Sequence, residues 1–438
     1  MGPNLSSLLL LMNNIPTLPK MFLAKQKFDR PTVTDVYSKA QEELGRIFPA
    51  GSIESGARIG VTAGSRGIAN IDRITRGAVD FLKSQGANPF IIPAMGSHGG
   101  ASAEGQTTLI AHYGITEESM GCPIRAEMGT RVIGKTETGM DVYLAEMAMD
   151  SDGVLLINRI KPHTDFKGAI ESGLSKIASI GLGKLEGATS YHSRIWELGL
   201  EKAFCDAAEK VLGSGKILGG LAILENAYHE TAKLAGVPLI SLMEDEKKFL
   251  KEATGLMGRL PFSECDVLIC DQMGKNISGT GMDTNIIGRH IKGYAQGKAW
   301  HNGMPGIHRI FIRSLTPETD GNAFGMGLAE FCTQRFLESI NQEYSQINAF
   351  TSGSTLGAHM PAPLETDKIA IETAVKTCGY RNRGYKVCHI LDTLSLETIY
   401  LSEQYLEEEE TISKVEVLSE PKHLQFDTEG WLQSPFEN

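Results

Sequence analysis

Residues 58–100 read RIGVTAGSRGIANIDRITRGAVDFLKSQGANPFIIPAMGSHGG. Arg58 to Thr62 is a short apolar strand that ends in a glycine-bearing turn, Ala63-Gly64-Ser65-Arg66-Gly67. From Ile71 to Gln85 the apolar residues Ile71, Ile74, Ala78, Phe81 and Leu82 recur at helical spacing. Pro89 to Met95 is a second strand, closed by Gly96-Ser97-His98-Gly99-Gly100, and Glu104 to Tyr113 is helical again. Strand, helix, strand, helix in this rhythm specifies parallel strands joined by crossover helices, and so an α/β sheet.

The rhythm continues outward. Gly153 to Asn158 (GVLLIN) is a buried strand that ends at Arg159-Ile160-Lys161-Pro162-His163. A helix-rich stretch over about 195–212 precedes the strand Gly220 to Glu225. After Pro261 a second unit begins at Asp266-Val267-Leu268-Ile269-Cys270. It carries a glycine-rich loop over 274–306, a strand Arg309 to Ile312, helices near 327–342 and 366–377, and a strand Lys386 to Ile390. An acidic helix, Leu396 to Glu410, leads to a last strand, Ser413 to Leu418. The expectation is two α/β domains with mostly parallel, Rossmann-like sheets and an interdomain active-site cleft. Residues 21–262 form the N-terminal cofactor-binding catalytic domain, which 416–438 could rejoin. Residues 263–415 form the C-terminal α/β domain that closes the cleft, and residues 1–20 are a loose leader.

Composition sets limits. The 438 residues include 42 Lys+Arg against 53 Asp+Glu, a formal net charge of −11. That balance argues against nucleic-acid binding, which needs a basic footprint. The apolar run Leu8 to Met12 is far shorter than the ~20 residues a membrane helix needs. The seven cysteines are widely spaced, odd in number and free of any C-x-x-C, which points away from a disulfide framework and towards a reducing cytoplasm. The 48 glycines clearly exceed the usual ~7%. Such a surplus marks loops where the backbone turns sharply or approaches a ligand.

Three loops follow strands, where open α/β sheets place their ligand crevice. They are Gly64-Ser65-Arg66-Gly67, Gly96-Ser97-His98-Gly99-Gly100 and Lys161-Pro162-His163-Thr164-Asp165. They put Arg66, His98 and His163 on one rim. Two imidazoles there suit a two-base proton shuttle, and the guanidinium fork of Arg66 suits a carboxylate or phosphate. One histidine at a strand end more often caps backbone; two with an arginine at successive strand ends form a site. The segment 159–192, RIKPHTDFKGAIESGLSKIASIGLGKLEGATSYH, adds Lys176 among small residues, and then His192. A desolvated lysine can anchor a group covalently, and a histidine can bind metal.

This order of residues resembles the lactate racemase family, whose members use a nickel-pincer nucleotide. The resemblance covers about residues 57–300. It rests on Arg66 after an early strand, His98 in a Gly-x-His loop, Pro162-His163 after an apolar strand, and Lys176 and His192 at their spacing in a glycine-rich stretch. It implies a racemase or epimerase that inverts C2 of a 2-hydroxy acid by hydride transfer to and from the tethered cofactor. That cofactor is a pyridinium bis-thiocarboxylic acid mononucleotide carrying nickel. His98 and His163 would be the acid/base pair and Lys176 the thioamide anchor. Gly64, Ser65, Arg66 and Gly173 would lie along the cofactor, with His192 on nickel. Arg66, Arg289, Lys292, Asn276 and Ser278 would hold substrate. The first loop reads Ala63-Gly64-Ser65-Arg66 where the family has Asp-x-Thr-Arg, and 282–293 lacks the family's Tyr and Gln. These departures point away from lactate and towards another 2-hydroxy acid, such as an aldonate.

The implied partners are the small-molecule acid and the proteins that build and load the cofactor. No nucleic acid and no membrane are expected, and the chain would be a monomer or homodimer. One rival is a nicotinamide-dependent 2-hydroxyacid dehydrogenase, but the first turn lacks G-x-G-x-x-G. A second rival is a catalytically inactive homologue that only binds metal or nucleotide.

Overall fold

The structure is a computed structural model that describes residues 17–292, 301 and 303–436. Residues 1–16 of the leader and the middle of the loop 274–306 lie outside the described residues. The chain forms two compact units, Asp29–Met257 and a second made of Gly258–Asn438 with the chain up to Phe28. The first strand, β1 (Met21–Gln26), belongs to the second unit.

The unit Asp29–Met257 holds β2 (Arg58–Ala63), β3 (Asn88–Pro93), β4 (Thr130–Lys135), β5 (Asp141–Ala145), β6 (Gly153–Arg159), β7 (Ile217–Glu225) and β8 (Thr231–Pro238). Five of these make a sheet in the order β3-β2-β6-β7-β8, with β4 and β5 as a separate hairpin. The pairs β3/β2, β2/β6 and β6/β7 are parallel, and β8 is antiparallel to β7. Strands covered on both faces read as continuous apolar runs. After Arg58, every residue of β2 is buried. Alternate side chains feed opposite faces: Ile59, Val61, Leu155 and Ile157 enter one core, while Phe90, Ile92, Val154 and Leu156 enter another. The helix Ile71–Ser84 buries Ile71, Ile74, Ala78, Phe81 and Leu82 against the first, the stripe its spacing marks. Each such large side chain contributes roughly 1.5–3 kcal/mol.

Chain direction through this sheet reverses between β2 and β6, since β3 is added on one side and β6, β7 and β8 on the other. Loops leaving neighbouring parallel strands in opposite directions open a crevice at their carboxyl ends. The turns after β3, β2 and β6 therefore lie side by side at the switch point.

The second unit holds β1 with β9 (Glu264–Met273), β10 (Gly306–Leu315), β11 (Phe331–Thr333), β12 (Ala362–Leu364), β13 (Val387–Ile390), β14 (Thr398–Ser402) and β15 (Val415–Val417). Their order is β12-β11-β10-β9-β13-β14-β1-β15. The five strands from β12 to β13 are parallel; β14, β1 and β15 complete the sheet by antiparallel pairing.

Three expectations are corrected here. The N-terminal domain does not begin at 21, because β1 pairs with β14 from Met21↔Ser402 to Lys25↔Thr398 and so joins the C-terminal sheet. The tail 416–438 stays with that same unit. Leu432 accepts from the Arg313 guanidinium at 2.8 Å and donates its N–H to Asp367 at 3.0 Å. The acidic helix Leu396 to Glu410 is instead β14, a 3-10 turn Glu403–Glu407 and a short helix Glu409–Ile412. Ile399 and Leu401 are buried and alternate with Thr398 and Tyr400, so the two-residue period outweighs the helix propensity of the glutamates. Tyr405, wholly buried, then donates to Glu264 O at 2.9 Å and stacks on Phe262. All seven cysteines are free thiols. Among the described residues no helix is long and apolar enough to cross a membrane.

Candidate functional site

At the end of β2, Ser65 Oγ lies 2.5 Å from His98 Nδ1, which joins the turns that follow β2 and β3. Tyr113 holds the first turn by donating its hydroxyl to Ser65 O at 3.1 Å. Arg66 and His98 are both exposed. Gln106, buried beneath, donates to Gly96 O at 2.9 Å and to His98 O at 3.2 Å, and so fixes the backbone that presents the imidazole.

The turn after β6 is built around Glu171. This buried carboxylate accepts from His163 N at 2.7 Å, from Gly168 N at 3.1 Å and from Lys167 Nζ at 3.1 Å. The half-buried His163 ring packs against Phe166, with centroids 4.6 Å apart. Asp165 N–H donates to His163 Nδ1 at 3.0 Å. An Nδ1 that accepts carries no proton, so the neutral ring holds its hydrogen on Nε2.

Lys176 closes a single helical turn, Leu174–Lys176, which runs directly into a π-helical turn, Ile177–Gly181. Such irregular turns gather at functional sites. Glu246 sets this turn from below. Its buried carboxylate accepts from Leu174 N, from Ser175 N at 3.1 Å and from the Ser175 hydroxyl. Gly173 approaches so closely, at φ 103°, that a Cβ there would sit 2.3 Å from Glu246 Oε1. Asn158, at the end of β6, donates to Gly173 O at 2.8 Å. Burial pushes the Lys176 ammonium down to about 8; the Arg66 charge adds to this and the Asp165 carboxylate opposes it. Asp165 also acts on the Tyr191 phenol, which burial holds above its usual value. Tyr191 precedes His192, whose exposed ring meets it edge-on at 5.1 Å on the helix Lys184–Leu198.

Ser65 touches His98. Arg66 acts on Lys176, and Lys176 on Asp165, whose N–H holds His163. Asp165 in turn reaches the phenol beside His192.

The residues expected to hold substrate from the second unit are placed differently. Arg289 is 2% exposed, pairs with Glu330 at 3.0 Å, and donates to the carbonyls of Leu328, Ile307 and His308. This corrects its assignment as a substrate cation: a guanidinium so enclosed is a structural strut. Ser278 is buried with its hydroxyl 3.2 Å from that of Thr280. Asn276 is exposed just past the end of β9 and accepts from the Thr316 hydroxyl at 2.6 Å. Lys292 is half-buried at the edge of the described chain.

Several residues that shape the site were missed in the sequence. Glu246 left a signal: it falls between Leu242 and Leu250 at four-residue steps, a carboxylate on the buried stripe of an otherwise charged helix. Asn158 left none, because its partners are backbone groups, and Glu171 showed only its four-residue spacing from Lys167, with which it pairs at 3.1 Å. The glycine surplus reads differently as well. A Cβ at Gly181 would meet Ala94 O at 2.7 Å and one at Gly183 would meet Ser179 O at 2.6 Å, so these glycines admit protein backbone.

No protein-family model matches the chain, and no curated protein matches it. Among solved structures it is similar to the lactate racemase apoprotein from Thermoanaerobacterium thermosaccharolyticum. The sequence identity is 13%, the TM-score is 0.47, and the match covers 86% of this chain and 99% of that one.

Proposed function

We propose that the chain is an isomerase that inverts C2 of a 2-hydroxy acid, either a short acid or a longer sugar acid such as an aldonate, with His98 and His163 as the acid/base pair. The observation that carries the reading is the set of side chains at the switch point: two imidazoles from the strand ends on either side of β2, whose own turn carries Arg66, and a lysine whose ammonium burial depresses to about 8. Inversion at a hydroxyl-bearing carbon needs one group that takes the hydroxyl proton and another that returns one. One imidazole enters neutral, takes the hydroxyl proton and becomes an imidazolium, while the other enters as the imidazolium, returns a proton and becomes neutral. His98, whose Nδ1 shares a hydrogen with Ser65 Oγ, and His163, whose Nδ1 accepts the Asp165 N–H, each act through Nε2. The two exchange roles for the opposite enantiomer. Arg66 pairs with the substrate carboxylate.

The residues fit a nickel-pincer nucleotide. A thioamide forms from a free amine, and an ammonium lowered to about 8 yields one near neutral pH. The imidazole of His192 is exposed on the helix Lys184–Leu198 and is of a donor type that nickel accepts. Lys176 would hold the cofactor and His192 the nickel. When bound, the cofactor supplies a pyridinium carbon that accepts and returns the C2 hydrogen with its electron pair. Cofactor-loading proteins are the implied partners.

The test is the intact mass and metal content of chain made in cells that assemble the cofactor. An adduct lost in Lys176→Ala, and nickel lost in His192→Ala, are expected. An unmodified mass removes the pincer reading, and reduction of a nicotinamide without inversion replaces it with a dehydrogenase.

A further inference from the structure

Lys184 is a buried lysine for which the proposed chemistry has no use. It opens the helix Lys184–Leu198 that carries His192, its side chain is wholly enclosed, and its backbone adopts φ 53°, uncommon for a residue with a side chain. Its ammonium donates to Pro93 O, at the end of β3, at 2.7 Å and to Gln106 Oε1 at 3.0 Å. Gln106 passes the connection on, donating to Gly96 O and to His98 O. The main chain makes the same junction, with Gly96 N–H donating to Gly181 O at 3.3 Å.

An enclosed ammonium is costly, and an apolar side chain would fill the space more cheaply. Burial pushes this one down to about 8, and among the described residues no carboxylate hydrogen-bonds it. What an apolar residue could not do is join the end of β3, the His98 turn and the start of the His192 helix.

We infer that Lys184 is a positioning residue: through Gln106 it fixes the turn that carries His98 against the start of the helix that carries His192, so their spacing is set before any ligand arrives. The roles of the two histidines in this inference rest on the function proposed above; the tether itself does not.

The test uses the full chain without cofactor, with 15N-labelled histidine and His98 signals assigned through His98→Gln. Lys184→Met removes the ammonium at similar volume. Gln106→Leu cuts the tether while leaving Lys184 on Pro93 O. Both are expected to turn the ordered His98 ring-nitrogen signals into solvent-averaged ones and to speed amide exchange over Gly96–Ala101 by about tenfold, while His163 signals stay in place. Unchanged His98 signals in a folded Gln106→Leu chain overturn the inference. Equal loosening at His163 also overturns it, because that would be general packing loss. If Lys184→Met does not fold, Gln106→Leu decides alone. A chain that shows the local loosening but takes no adduct on Lys176 keeps the tether and loses the proposed function, so the two failures are distinguishable.

Discussion

Replacing Glu246 by glutamine tests how the Lys176 turn is held. The carboxyl is enclosed and accepts from two backbone N–H groups and a hydroxyl, yet burial outweighs these bonds and raises it from 4.5 to about 7. The sign follows from proton counts. Between pH 4.5 and 7 the folded unit binds a proton at Glu246 that the unfolded chain has released. Stability is therefore highest below the unfolded value, falls as pH rises through that window, and levels off above it. A shift of this size corresponds to about 3 kcal/mol. Glu246→Gln keeps an oxygen for the Leu174 and Ser175 N–H groups but cannot ionise, so its profile lacks this fall. Pulse proteolysis in urea at several pH values, with fragments from 29–257 followed by mass spectrometry, reads the difference for this unit alone. Parallel profiles in parent and variant would refute the reasoning.

The amine of Lys176 is expected to react with an acylating reagent at half-maximal rate near pH 8, against ~10.4 for an exposed lysine, as read by peptide mass spectrometry over a pH series. Gly173→Ala drives a Cβ into Glu246 Oε1 at a positive φ and should cost roughly 1–3 kcal/mol in strain alone, visible as a lower urea midpoint and faster amide exchange around Lys176. Arg289→Met removes the buried cation that pairs with Glu330, whose carboxylate keeps the Ile310 N–H at 2.7 Å, and should lower the stability of the Gly258–Asn438 unit by about 3–5 kcal/mol while turnover per folded molecule holds; a fall in substrate affinity with stability intact would restore Arg289 to the site.

The sheet was legible where strands are enclosed on both faces. Arg58 to Thr62 and Gly153 to Asn158 are apolar runs bounded by turns, and both are found within a residue or two of their expected ends. β1 was not legible, because MFLAKQ is stabilised by partners almost four hundred residues away, and nothing local marks that pairing. Within the site, Ser65, Arg66, His98, His163 and Lys176 stand at strand ends or in a glycine-rich turn, positions that sequence rhythm exposes. The carboxylate that holds the Lys176 turn acts from afar: Glu246 meets Ser175 across 71 residues. Arg289 misled for the converse reason, since an arginine in a glycine-rich loop looks available until the carbonyls around it are known.

The central claim is inversion at C2 carried by His98 and His163. Its most direct test is chiral chromatography of a panel of 2-hydroxy acids and aldonates incubated with cofactor-loaded chain. The account predicts that one member approaches an equal mixture at C2, and that His98→Ala and His163→Ala each abolish the conversion without loss of the Lys176 adduct. Inversion that persists in both variants, or a loaded chain that inverts no member of the panel, would contradict it.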